Sequence, residues 1–199
     1  MAEKVDLRVV KTRRSIEAAF VKLLKSKSFE HITVQNILDE ALVNRKTFYK
    51  HYEDKYNLAD VMIERLDEHL EKALHTRFER VKQPSDMPDA LREFYLTLFE
   101  EREAALSLMK VRTAHHYITE DYLHILKDAY LERFAPLRPD ADQGELDYLA
   151  NSYAALVYSS IRWALESGDP SCIDIICDVS YRHVNAPGTT FMSFPTEQH

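Results

Sequence analysis

The sequence predicts an all-α chain. Only three glycines occur in 199 residues, apolar side chains recur three and four positions apart along most of the length, and the alternating β-branched runs of strands are absent. Few glycines means few tight turns and therefore long elements, and a 45% hydrophobic content is ample for a packed core.

The first helix is expected from Leu7 to Lys27, with Ile16, Phe20, Leu23 and Leu24 on one face. Phe29 and Ile32 follow in a short connection, placed to plug the base of a three-helix head. Thr33 can accept a hydrogen bond from an orphan amide of a second helix, whose inward face is Val34, Ile37, Leu38 and Ala41. Asn44 is a good cap for a third, short helix, to which Phe48 and Tyr52, four apart, give an inward face. Two short helices with a tight connection, over Thr33 to Lys55, read as a helix-turn-helix. Asp54 then caps a long helix in which Leu58, Val61, Met62, Leu66, Leu70, Ala73 and Leu74 share a face for about five turns.

Gln83 to Pro88 is the clearest loop, and Pro88 suits the first turn of the helix that carries Ala90, Leu91, Phe94, Tyr95, Leu98 and Phe99. The charged cluster Glu100 to Glu103 marks a break before a helix expected over Ala104 to Thr113. Another runs from Ile118 to Phe134 and is stopped by Pro136 and Pro139. From Glu145 the stripe Leu146, Leu149, Tyr153, Leu156, Val157 and Ile161 reaches Leu165. Gly168 can then supply a left-handed cap, and Asp169-Pro170 opens a last helix lined by Ile173, Ile176, Cys177 and Tyr181. The tail from Ala186 to His199 has no periodicity, and Phe191, Met192 and Phe194 within it can dock or stay free.

Charge is uneven along the chain. Residues 1–55 hold 12 Lys/Arg against 8 Asp/Glu, a net +4, and the remaining 14 against 25 give −11, which together make the −7 of the whole. A basic head on an acidic remainder suits a protein that offers one face to phosphate and keeps the rest off it. Cys172 and Cys177 fall about 140° apart around a helix, so a disulfide within it is not expected, and a reducing compartment fits. The first ten residues lack the apolar core of a signal peptide, and Tyr153 to Leu165 is too short for a membrane span and contains Arg162, which predicts a cytosolic protein. No Gly-rich phosphate loop, nucleophile elbow or distinctive carboxylate pair occurs, so no enzyme and no cofactor is expected. His115, His116 and His124 lack a supporting ligand at metal spacing, and no metal is expected either.

The third helix is where chemistry concentrates. Arg45 and Lys46 follow its cap, where side chains of a helix-turn-helix reach base edges, and an arginine can bond two guanine acceptors at once. Thr47 can touch a thymine methyl or a phosphate, and Gln35 can reach DNA from the preceding helix. Tyr49, Lys50, His51 and Lys55 fit backbone anchoring, as do Thr33 and the amides after it at a helix start. Against this, Tyr49 can pack beside Phe48, His51 can be a half-buried structural histidine, and Arg45 and Lys46 can be ordinary exposed helix residues.

The stretch ITVQNILDEALVNRKTFYKHYEDKYNL, with Lys27-Ser28-Phe29 before it, resembles the DNA-binding head of the TetR family of bacterial transcriptional regulators. The resemblance covers roughly residues 10–60. Two positions depart from it: Leu42, where many members have glycine, and Lys46, where many have a small residue. Leu42 predicts a turn that avoids a left-handed backbone, and Lys46 an extra DNA contact. Tyr158 to Gly168 resembles the C-terminal part of a low-GC Gram-positive subgroup of the family, some of whose members act as activators with a partner protein.

The resemblance implies a homodimer on a near-palindromic stretch of double-stranded DNA, with the last two long helices forming a four-helix interface. Tyr153, Val157, Ile161, Ile173 and Ile176 are the expected interface residues, and Phe94, Met109, Tyr122 and Tyr153 the expected lining of an effector cavity. The expected organisation is a helix-turn-helix head over residues 1–55, a helical regulatory and dimerisation body over 56–185, and an irregular tail over 186–199. The expected function is a DNA-binding regulator, in the sense of a repressor, modulated by a small molecule or a partner protein. The alternative is a co-regulator with the same fold that acts by protein–protein docking.

Overall fold

The computed structural model describes residues 7–184, and the expected tail lies outside the described residues. Nine α-helices and no strand occur among them: α1 (Leu7–Ser26), α2 (Val34–Ala41), α3 (Arg45–Phe48), α4 (Lys55–Arg80), α5 (Met87–Phe99), α6 (Arg102–Leu108), α7 (Ile118–Phe134), α8 (Gln143–Ser167) and α9 (Cys172–Val184). The described residues form two compact units, one within Met1–Leu66 and Glu103–Ile118, the other within Asp67–Arg102 and Thr119–His199. Among the described residues no helix is long and apolar enough to cross a membrane.

In the first unit α1 packs on α2, and Ile16, Phe20, Leu24, Phe29, Ile32, Ile37, Leu38, Phe48 and Tyr52 form its interior. Phe29 meets Phe20 and Tyr56 edge to face, with ring centroids 6.1 and 5.2 Å apart, a favoured aromatic geometry. Glu17 on α1 ties the unit together: it accepts from the Tyr52 hydroxyl at 2.8 Å and from Arg65 at 2.8 Å. Burial and that carboxylate both hold the Tyr52 phenol protonated, which keeps it a donor to Glu17.

The helix expected over Ala104 to Thr113 ends at Leu108. Past that end the Thr113 hydroxyl accepts the amides of His115 and His116 at 3.2 and 2.9 Å and donates to Asp60 at 2.5 Å, so this segment turns on a side chain.

In the second unit α5 packs against α8 and α9, which also pack on each other. Asp142 caps α8 by accepting the Glu145 amide at 2.8 Å. Gly168 ends it at φ 71°, and a Cβ there would lie 2.8 Å from Nη2 of Arg102, whose Nε donates to the Leu165 carbonyl at 2.6 Å. Glycine thus suits the left-handed backbone, and a Cβ there would displace the guanidinium end of Arg102. Cys172 and Cys177 are both buried free thiols, and burial pushes the Cys177 thiol up, as suits a packed small side chain.

Candidate nucleic-acid interface

Two caps build the helix-turn-helix. At α2 the Thr33 hydroxyl accepts the Asn36 amide at 3.2 Å while the Asn36 side chain accepts the Thr33 amide at 3.2 Å, a reciprocal capping box. At α3 the Asn44 Oδ1 accepts both the amide and the hydroxyl of Thr47, at 2.8 and 3.0 Å. The helical turn continues past Phe48, since the amides of His51 and Tyr52 donate to the Phe48 carbonyl at 2.8 and 3.0 Å.

Between the caps the structure corrects one expectation. Leu42 is left-handed, at φ 55° and ψ 40°, and 91% exposed. The conformation lets the amides of Leu42 and Val43 both close on the Leu38 carbonyl, and Ser15 of α1 donates to the Ala41 carbonyl at 3.0 Å. The fold needs that backbone to swing α3 off the end of α2, and it imposes the strain on a leucine.

Arg45, Lys46 and Lys50 stand exposed, and among the described residues none of them has an ion pair or hydrogen bond through its side chain. Lys22, by contrast, pairs with Glu40, and Lys25 with Glu103 at 2.9 Å. Tyr49 is 48% exposed with its ring edge-to-face on Phe48, at 5.5 Å, so it packs with one edge and leaves the rest open. His51 is half-buried, and its imidazole is held below the ordinary range by burial first and then by Arg13 and Lys50. Arg13 of α1 thus acts electrostatically on His51. Sequence reasoning did not single it out, although the run Lys11, Arg13, Arg14 in α1 carried the signal.

The remaining candidates have partners. Gln35 donates to Asp39 at 2.8 Å, Thr33 and Asn44 serve as caps, and Thr47 donates to Asn44, all three staying exposed or half-exposed. Lys55, expected as a phosphate contact, is engaged within the chain. Its ammonium donates to the carbonyls of Phe29, Glu30 and Ile32 at 2.8, 3.1 and 2.9 Å and lies over the rings of Phe29 and Tyr56 at 4.7 and 5.2 Å. An ammonium has three protons, all of them spent on the turn between α1 and α2.

The second unit sorts the other candidates. Phe94 and Tyr153 come together at Arg77 of α4, which donates to the Tyr153 hydroxyl at 3.3 Å and lies 5.6 Å from the Phe94 ring. Tyr122 is buried on α7, where burial raises its phenol, and Met109 belongs to the first unit. Tyr153, Val157, Ile161, Ile173 and Ile176, the expected interface residues, are all buried within this chain's own interior. On the same helices the exposed large hydrophobic side chains among the described residues are Tyr148, Leu156 and Trp163 of α8 and Ile175 and Val179 of α9. Leu156 and Trp163 continue the face of Tyr148, Ser152 and Ser159, opposite the buried one. Of the histidines outside the head, His116 lies against Glu64 at 3.5 Å and His124 against Asp128 at 3.3 Å.

No protein-family model matches the chain. It is 27% identical over 157 residues to the uncharacterized HTH-type transcriptional regulator YxbF of Bacillus subtilis (strain 168), covering 75% of this chain and 38% of that protein, so it spans well under half the length of this curated relative. Among solved structures, SmeT in its triclosan complex aligns with a TM-score of 0.59 at 18% identity, over 93% of this chain and 99% of that one. A tetR-family regulatory protein from Rhodococcus RHA1 aligns with a TM-score of 0.59 at 16% identity, over 86% and 95%. The regulatory protein TetR from Rhodobacter sphaeroides aligns with 0.54 at 20% identity, over 86% and 98%. The capped tandem helices, the relative with a helix-turn-helix and the shared helical architecture agree, and the chain has the fold of the TetR family of transcriptional regulators.

Proposed function

We propose that the protein is a homodimeric, sequence-specific DNA-binding regulator in which α3 enters the major groove. The observation that carries this is the state of its cations: Arg45, Lys46 and Lys50 project from a capped helical turn with no protein partner among the described residues. Arg45 and Lys46 at the start of α3 meet base edges, while Lys50, His51, Tyr49 and the exposed start of α2 at Thr33 hold phosphates. Gln35 and Thr47 are secondary contacts at the edge of that surface. Arg13 adds charge that acts on His51 and extends the phosphate track onto α1.

In this reading residues 1–55 read DNA and residues 56–185 dimerise and regulate. Two copies present two recognition helices to successive major grooves, and a twofold protein calls for a near-palindromic site. Leu156, Trp163, Ile175 and Val179 make the apolar face that joins the copies. Helix α4 contributes residues to both units, so a ligand that favours one position of α4 changes the separation of the heads and hence operator affinity. The triclosan carried by SmeT supports a small-molecule effector of this kind. A repressor working in the cytoplasm is the form that fits these features.

The test is a binding titration across salt on the DNA flanking the gene. Arg45→Ala should relax base preference at one position per half-site, and Lys50→Ala should weaken all sequences alike and lower the salt slope by about one per lost contact. Unchanged affinity and selectivity in both variants would remove the DNA assignment and leave protein–protein docking as the output, to be read by pull-down alongside the gel shift.

A further inference from the structure

Near the C-terminal end of α4 the second unit buries an arginine that, among the described residues, makes no ion pair. Arg77 is 5% exposed, its Nη1 donates to the neutral Tyr153 hydroxyl at 3.3 Å, and its guanidinium faces the rings of Phe78 and Phe94 at 5.5 and 5.6 Å. Its Nε is buried with no hydrogen-bond partner. Among the described residues no carboxylate pairs with it, and the nearby Glu93 is taken by Arg80. An arginine cannot shed its charge by losing a proton, and a buried cation without an anion or a full set of acceptors is a costly arrangement to keep. A buried donor left open asks for an occupant.

Arg77 lines a cavity of about 300 Å³, walled within this unit by α4 and α5. Lys72, Thr76 and Thr97 add donors to its wall, and Phe94, Ala73 and Ala90 add apolar surface. The volume lies at the lower end of small-molecule sites, and the lining is mainly polar, with His69, Glu93 and Glu100 beside those donors around an apolar patch of Phe94, Ala73 and Ala90. Glu93 and Glu100 stand on the same wall and disfavour a doubly charged guest.

We propose that this cavity binds a small organic monocarboxylate, its carboxylate held by the guanidinium of Arg77 and its apolar body against Phe94, Ala73 and Ala90. The guanidinium edge matches a carboxylate with two parallel hydrogen bonds, a match an amide or alcohol of the same shape cannot make. The inference rests on the reading of a ligand-modulated regulator and names the chemistry of that ligand.

The test uses the full chain without DNA. Butyrate, hexanoate, octanoate and benzoate are titrated by calorimetry and thermal melting, each beside its primary amide, with inorganic phosphate as a further probe. At least one carboxylate should bind saturably and more than about tenfold tighter than its amide, and Arg77→Gln should erase that preference while still melting cooperatively. Thr97→Phe, which narrows the cavity and leaves the charge alone, should weaken the same carboxylate. Equal binding of acid and amide, a preference that survives Arg77→Gln, or a response to phosphate equal to that of the acids would each overturn the proposal. A gel shift separates the two readings: operator binding with no carboxylate binding sinks the anion site alone, and carboxylate binding that leaves the shift unmoved sinks the effector reading alone.

Discussion

Replacing Lys55 by methionine separates a structural lysine from a DNA contact. The substitution keeps the alkyl stem over Phe29 and Tyr56 and removes the ammonium that donates to three carbonyls at 2.8, 3.1 and 2.9 Å. The site is only half-buried, so each charged hydrogen bond is taken near the low end of its range, about 1 kcal/mol, and each ring contact at about 0.5 kcal/mol. Because the contacts share one group and do not add fully, the loss comes to about 2–4 kcal/mol. For a chain of this size that corresponds to a fall in melting temperature of roughly 5–15 °C, read by circular dichroism. Below the melting transition, the salt slope of operator binding should match that of the unsubstituted protein, whereas Lys50→Ala lowers it by about two for a dimer. A variant that melts within about 1 °C of the parent and loses salt slope would show that the lysine serves phosphate and not the turn.

Leu42→Gly should stabilise the protein by roughly 0.5–1 kcal/mol, because relief of about 1–2 kcal/mol of left-handed strain outweighs the added freedom of the unfolded chain. The 91% exposed side chain gives up no burial, and a lower denaturation midpoint for the glycine variant would refute the account of the turn. Glutamate at both Leu156 and Trp163 should convert a dimer to monomers in sedimentation velocity while leaving helical content intact, and a dimer that survives both changes would place the interface elsewhere. The His51 imidazole titrates below the ordinary 6.5, so the unfolded chain takes up a proton before the native one does. Its contribution to stability is complete above pH 6.5 and is lost as pH falls through that value toward the lower native one. Urea midpoints at about pH 7.5 and about pH 5.5 should diverge more in the parent than in His51→Gln, and an equal pH response would show that the histidine is not perturbed.

The sequence alone determined what short-range forces encode. The caps at Thr33, Asn44, Asp54 and Gly168 lie where their residue types place them, because each bond closes within a few residues, and the helix Ile118–Phe134 ends just before Pro136. The cationic character of α3 was legible for the same reason. Tertiary structure decided which of several possible partners each side chain received. It turned Lys55 inward to carbonyls 23 to 26 positions away and left Lys50 open, although both read as anchors in one dimension. It chose the Tyr153, Val157 and Ile161 stripe for the interior and left Leu156 and Trp163 outside, a choice periodicity cannot make when both faces of a helix are apolar. It also forced Leu42 into a conformation its residue type disfavours, and it sealed Arg77 among rings. Hydrogen-bond spacing and hydrophobic period are local quantities, whereas desolvation and long-range pairing exist only once distant segments have met.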